Sequence, residues 1–137
     1  MKNIAVKENH LYQKAYSKGK KAVGRYAVVY VMRDYRAGAL MRSNPRKEYV
    51  NRLGLTVTKR IGGAVTRNRV KRILREGYRL LEKEYSVRHG NIVIIVARDA
   101  AVGAKSTDVL KELVRSFDTL GLIRNGAGDE RTDEKGV

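Results

Sequence analysis

Hydrophobic positions recur along the chain in two rhythms, and the switches between them mark out the elements. Tyr26 to Met32 (YAVVYVM) is rich in β-branched and aromatic residues and predicts a strand, with Tyr26, Val28 and Tyr30 on one face and Ala27, Val29 and Val31 on the other. Further on, Leu53, Leu55 and Val57 alternate with Gly54, Thr56 and Thr58, the pattern of a half-buried strand that Lys59 and Arg60 close. After Gly62-Gly63 the period changes. From about Val65 to Tyr85, Val70, Ile73, Leu74, Gly77, Leu80 and Leu81 fall within an arc of roughly 120° on a helical wheel, opposite Asn68, Lys71, Arg72, Arg75 and Arg79. Asn91 to Ala97 (NIVIIVA) is almost unbroken aliphatic, as a central strand covered on both faces would be. A strand-helix-strand crossover follows from that order.

Two more helices complete the pattern. Lys7 to Lys18 predicts a short one with Asn9 as its cap and Gly19 at its end, which puts Tyr12 and Tyr16 on one face. Val109, Leu110, Leu113, Val114, Phe117 and Leu120 keep helical spacing after a cap at Ser106 or Thr107. The stretch 33–51 has no sustained period, holds the only proline, Pro45, and carries Arg33, Arg36, Arg42, Arg46 and Lys47, so it reads as a long basic loop. The domain is expected to span 1–124. Residues 125–137, with four acids, two bases and little to bury, read as a disordered tail.

Charge changes the picture most. The 137 residues hold 30 Lys and Arg against 14 Asp and Glu, a formal +16, and setting the tail aside leaves 28 bases against 10 acids. A field of this size points to a polyanion, because each phosphate neutralised releases condensed counterions. Nucleic acid leads and an anionic membrane surface trails. With no cysteine, the chain has no disulfide framework, thiol nucleophile or Cys-ligated zinc. Its longest apolar run, Ile92 to Ala97, is far short of the roughly 20 residues that span a bilayer, and no apolar segment follows Met1, so a soluble intracellular protein is expected.

Two constellations fit nucleic acid. Lys59, Arg60, Arg67, Arg69, Lys71, Arg72, Arg75 and Arg79 face a single acid, Glu76. Like charges at Lys71/Arg75 and Arg75/Arg79 cost a few tenths of a kcal/mol per pair, a cost that bound phosphate would offset and a merely solvated face would not. Tyr12, Tyr16, Tyr26 and Tyr30 either pack as ordinary core and edge rings or line a groove that stacks unpaired bases. Side-chain catalysis has little support, since no close carboxylate pair, Ser-His-Asp motif or phosphate loop occurs. A general RNA-binding protein and a metal-independent nuclease using His10 and His89 are the competing readings.

The segment Lys59-Arg60-Ile61-Gly62-Gly63-Ala64-Val65-Thr66-Arg67-Asn68-Arg69-Val70-Lys71-Arg72 resembles the bacterial ribonuclease P protein subunit, whose signature K-x-x-G-x-A-V-x-R-N-x-x-K-R it fills completely. The likeness continues through Leu53 to Thr58, Ile73 to Glu76, Tyr12-x-x-x-Tyr16-x-x-Gly19-Lys20, and Ile92 to Arg98 with Ala100-Ala101. It implies an α+β two-layer sandwich, a mixed central sheet with helices packed on it, and a left-handed crossover against the general right-handed rule. It also implies a division of labour, in which an RNA subunit performs Mg²⁺-dependent hydrolysis that removes the 5′ leader of precursor tRNA, with no catalytic protein side chain.

Carried onto this chain, the resemblance gives Lys59, Arg60, Arg67, Asn68, Arg69, Lys71, Arg72 and Arg75 to the catalytic RNA. Tyr12, Tyr16, Tyr30, Thr56 and Thr58 go to the single-stranded leader. Mg²⁺ is expected mainly through the RNA, with protein ligands unassigned; the partners are the catalytic RNA and precursor tRNA, with no membrane and no required protein oligomer, in the cytoplasm. Departures from the family pattern are Tyr for Phe at positions 12 and 16, Ala27 where a bulky aromatic is common, Asp99 where proline often follows the strand, the long 33–51 loop and the acidic tail.

Overall fold

The aliphatic run Asn91–Ala97 becomes the middle strand of a five-stranded mixed sheet in the computed structural model, which describes residues 2–6, 9–36 and 49–123. In chain order the strands are β1 (Lys2–Ala5), β2 (Lys20–Val23), β3 (Ala27–Arg33), β4 (Tyr49–Thr56) and β5 (Asn91–Ala97). Their spatial order is β1-β4-β5-β3-β2. β5 pairs antiparallel with β3, from Ala27↔Ala97 to Arg33↔Asn91, and parallel with β4, from Arg52↔Ile92 to Thr56↔Val96. β1 adds parallel to β4, and β2 adds antiparallel to β3. The sequence pattern predicted neither edge strand, because four residues are too few to display a period.

Both faces of β5 are covered, which explains its unbroken apolar run. Val93, Ile95 and Ala97 join Ala27, Val29 and Val31 of β3 in the larger core, beneath α2 (Ala64–Glu84) and α3 (Ser106–Thr119). Ile92 and Ile94 turn the other way, toward α1 (Asn9–Lys18) and its buried Ala15, with Tyr30 and Met32 alongside. β4, α2 and β5 form the expected crossover between adjacent parallel strands. The α+β sandwich inferred from the signature is thus the observed architecture, with α1 covering part of the face opposite the larger core.

The helices differ from expectation at their ends. α2 starts and stops one residue earlier than predicted, with Gly63 and Tyr85 as its flanking residues. Its buried stripe is Val70, Leu74, Gly77, Tyr78 and Leu81. Ile73 and Leu80 sit at the margins, half-buried. Tyr78, which lies outside the predicted arc, packs on Phe117 with ring centroids 5.7 Å apart. Ser106 and Thr107 do not cap α3. The cap position is Lys105, whose N–H donates to the Asp108 carboxylate at 3.2 Å. Asn9 is the first helical residue of α1 rather than the residue before it, and Lys7 lies outside the described residues.

The expected 33–51 loop is shorter at both ends. Arg33 is the last residue of β3, and Tyr49 to Asn51 already belong to β4, held in line by β1 (Lys2↔Tyr49) and by the Asn51 side chain, whose Oδ1 accepts the Asn91 N–H at 2.8 Å. Asp34 and Arg52 close the base of this region as a buried bidentate pair, Nε to Oδ2 at 2.7 Å and Nη2 to Oδ1 at 2.8 Å. Arg42, Pro45, Arg46 and Lys47 lie outside the described residues, as does the tail at 125–137. No described helix is long and apolar enough to cross a membrane.

Candidate nucleic-acid interface

α1 carries its tyrosines onto the sheet because Tyr12 and Tyr16 are one helical turn apart and share a face. The ring of Tyr16 meets that of Tyr12 at 6.3 Å between centroids and stands edge-on to Tyr30 at 4.9 Å. Its hydroxyl is 3.2 Å from Thr56 Oγ1 at the end of β4. Tyr12 donates to the Val6 carbonyl at 3.2 Å and lies over Gly54, where a Cβ would come within 2.6 Å of the phenol oxygen. Gly54, Ile94 and Tyr30 occupy one row across three strands. A side chain at position 54 would displace the Tyr12 ring.

Exposure divides the cluster. Tyr16 is 40% exposed, whereas Tyr12 and Tyr30 are half-buried and hold it in place. Burial, and then the neighbouring Tyr16, push the Tyr12 phenol above its ordinary pKa, so it stays a neutral donor. The fold thus assembles Tyr12, Tyr16, Tyr30 and Thr56. Thr58 does not join their hydrogen bonding: it is exposed beyond the end of β4, and its carbonyl accepts the Ile61 N–H at 3.0 Å in the 3₁₀ turn Lys59–Ile61. Tyr26 packs beside the larger core, with Arg25 over its ring at 5.7 Å.

The second cluster surrounds the start of α2. Gly63 offers no side-chain cap, and the first turn contains no acid. Unmet N–H groups and the positive end of the helix dipole therefore face outward beside cations, an arrangement that favours an anion. Asn68, Arg69, Arg72 and Arg75 are exposed, and Arg67 and Lys71 are half-buried. The Nε of Arg67 is buried without a hydrogen-bond partner among the described residues. Among those residues Arg67, Arg69, Lys71, Arg72 and Arg75 form no ion pair. The lone acid of this stretch, Glu76, is held by Arg79 through two bonds of 2.8 and 2.6 Å, and those bonds lower its pKa.

Sequence reading missed two arginines that tertiary contact adds to this end. Arg60 is 3.5 Å from Asp99 in an exposed pair, and with Arg25 and Arg98 these residues line a cavity of about 360 Å³. Arg98 follows directly on the apolar run of β5 and donates to the Gly24 carbonyl at 2.7 Å. Its one sequence signal was that position, a charge closing a central strand. The two histidines are both exposed, one on α1 and one before β5, and no hydrogen bond joins them among the described residues. No group of three His, Cys, Asp or Glu converges to hold a metal ion among the described residues.

Comparison with known proteins agrees with this geometry. The family model described as Ribonuclease P matches residues 1–121. The chain is 31% identical to the ribonuclease P protein component of Clostridium acetobutylicum, covering 90% of this chain and 93% of that one. It is 39% identical to that of Caldanaerobacter subterraneus, covering 82% and 84%. Among solved structures it is similar to the RNase P protein of Staphylococcus aureus, with a TM-score of 0.66 and 26% identity over 90% of this chain and all of that one. An arginine-rich signature helix, a tyrosine cluster on the opposite sheet face, and a match over almost the whole chain place this protein in the ribonuclease P protein family.

Proposed function

We propose that the protein binds the catalytic RNA of ribonuclease P through the start of α2 and holds the single-stranded 5′ leader of precursor tRNA on the tyrosine cluster. The observation that carries this reading is the uncapped α2 start, where Arg67, Arg69, Lys71, Arg72 and Arg75 have no carboxylate partner among the described residues. Arginine suits that role because its planar fork takes a phosphate through two bonds. Lys59, Arg60 and Asn68 border the same surface. Tyr16 offers a ring that is 40% exposed and supported by Tyr12, Tyr30 and Thr56, so an unpaired base packs there without base-specific contacts. Thr58, outside that hydrogen-bonded cluster, would meet RNA from the Lys59 side.

The chemistry in this reading belongs to the RNA. Mg²⁺ in this reading is held mainly by RNA phosphates, as suits a hard cation that keeps oxygen ligands and several waters. The protein contributes cations that draw the two RNAs together and a surface that fixes the leader. The reading places it in the cytoplasm with its tRNA substrates.

Leader removal from a precursor tRNA at low Mg²⁺ tests the proposal, comparing the protein alone, a bacterial ribonuclease P RNA alone, and the mixture. Cleavage confined to the mixture is expected. Cleavage by the protein alone would contradict it. A mixture no better than the RNA alone, in an assay where a relative's protein subunit works, would leave only general RNA binding.

A further inference from the structure

Tyr35 is the most exposed large hydrophobic side chain of the described protein, at 81%, and neither cluster above uses it. Its ring is not isolated. Lys14 Nζ stands 5.8 Å from the ring centroid, and the two residues line a groove of about 450 Å³ with Lys18, Lys20, Arg33 and Met32. Among the described residues no carboxylate lines that groove. The nearest acid in sequence, Asp34, is buried against Arg52.

This groove is a different place from the tyrosine cluster. Lys14 and Tyr16 lie about 200° apart around α1, so the helix separates them. Along the sheet, Tyr35 follows the Arg33↔Asn91 end of β3, whereas Thr56 is level with Val96 and Val28. That is five residues, or about 17 Å, toward the other end of the strands.

We infer that this groove is a second single-strand site, in which an unpaired RNA base stacks on Tyr35 while Lys14, Lys18, Lys20 and Arg33 hold the adjoining phosphates. The inference rests on the RNA-binding reading above and extends it to the other flank of α1. An exposed phenol ring offers a base a flat apolar partner that a duplex cannot use, because paired bases are already stacked. Four cations, with no acid among the described lining residues, favour an anionic partner. The Lys14 ammonium on one face leaves the other face of the ring to solvent.

The chain contains no tryptophan, so Tyr35→Trp makes a single fluorescent reporter at the site. The full-length variant is titrated with a single-stranded oligoadenylate of about ten nucleotides, within the site sizes typical of stacking platforms. The same strand in a duplex, inorganic tripolyphosphate and phosphatidylglycerol vesicles serve as comparisons, and Tyr16→Trp is run in parallel. Saturable quenching by the single strand alone is expected, with the midpoint raised about tenfold when Lys14→Ala and Lys18→Ala are added. Equal quenching by duplex or tripolyphosphate overturns base stacking. Quenching by vesicles and not by RNA makes the groove a membrane contact and overturns the inference.

No quenching of the Tyr35→Trp variant also overturns it, and the Tyr16→Trp result then separates the two ideas: quenching there preserves the reading of the tyrosine cluster, and its absence removes that reading too. In the holoenzyme, Tyr35→Ala weakens either precursor binding, only when the leader is long, or assembly with the catalytic RNA, by about tenfold. The first assigns the strand to the leader and the second to the catalytic RNA. Tyr35→Phe retains binding in both. No effect of Tyr35→Ala on either RNA overturns the inference for the assembled enzyme.

Discussion

Asp34 shows what a single residue contributes when its partner is distant in sequence. Set among arginines after a strand, it reads as a loop aspartate, yet it is buried with Arg52, 18 residues on. Burial alone would raise its pKa. The hydrogen bonds from Arg52 and the Arg36 N–H, with the charges of both arginines, outweigh that and hold it below the ordinary 3.8. Because the folded-state value is the lower one, Asp34 adds stability above about pH 4 and loses it as pH falls through that lower value. Asp34→Asn removes the carboxylate charge from this buried bidentate pair and is expected to cost about 3 kcal/mol at neutral pH in urea unfolding. The variant should then lose less on acidification from pH 5 to 2 than the parent. A steeper acid loss in the variant would contradict this account.

At the scale of elements, α3 is fastened to the β2–β3 turn by one carboxylate. Glu112 is 4% exposed and accepts the N–H groups of Arg25, Tyr26 and Ala27, the last two at 2.9–3.0 Å. On a helical wheel Glu112 stands about 60° outside the arc from Val109 to Val114, so helical spacing alone gave it neither burial nor a partner. Gly24 makes room for it, since a Cβ there would lie 2.3 Å from the Glu112 carboxyl carbon. Glu112→Ala strands three backbone donors and is expected to destabilise by about 3 kcal/mol. Gly24→Ala alone should cost about 1–3 kcal/mol by displacing the carboxylate. In the Glu112→Ala background the same change should cost much less, so chemical unfolding of the four proteins reads out the coupling. Additive losses would mean that the two residues act separately.

Across the whole molecule, the roles proposed for the arginine cluster and the tyrosine cluster rest on different physics, so salt distinguishes them. If the α2 start neutralises about six phosphates, the log-log salt slope for catalytic RNA is near −5. Arg67→Ala with Arg69→Ala should make that slope shallower by about two. Tyr16→Ala should weaken precursor tRNA by about 1–3 kcal/mol through lost stacking, with little change in slope and no effect on mature tRNA. Equal weakening of both tRNAs would remove the tyrosine cluster from leader recognition.

Elements whose signals are local were legible in the chain alone. The aliphatic β5, the two faces of β3, the amphipathic α2 and the tyrosine face of α1 are each written in a period of two or 3.6, and the signature motif is contiguous. Whatever depends on partners far apart in the chain emerged only on folding. The edge strands β1 and β2 exist because β4 and β3 present unpaired backbone to them. The Asp34–Arg52 pair, the Glu112 anchor, the Arg25–Arg60–Arg98 cluster and the groove beside Tyr35 each join residues from separate elements. No local period encodes such meetings. They arise because burying the two sides of one sheet fixes where every strand ends, and so which polar side chains are left facing one another.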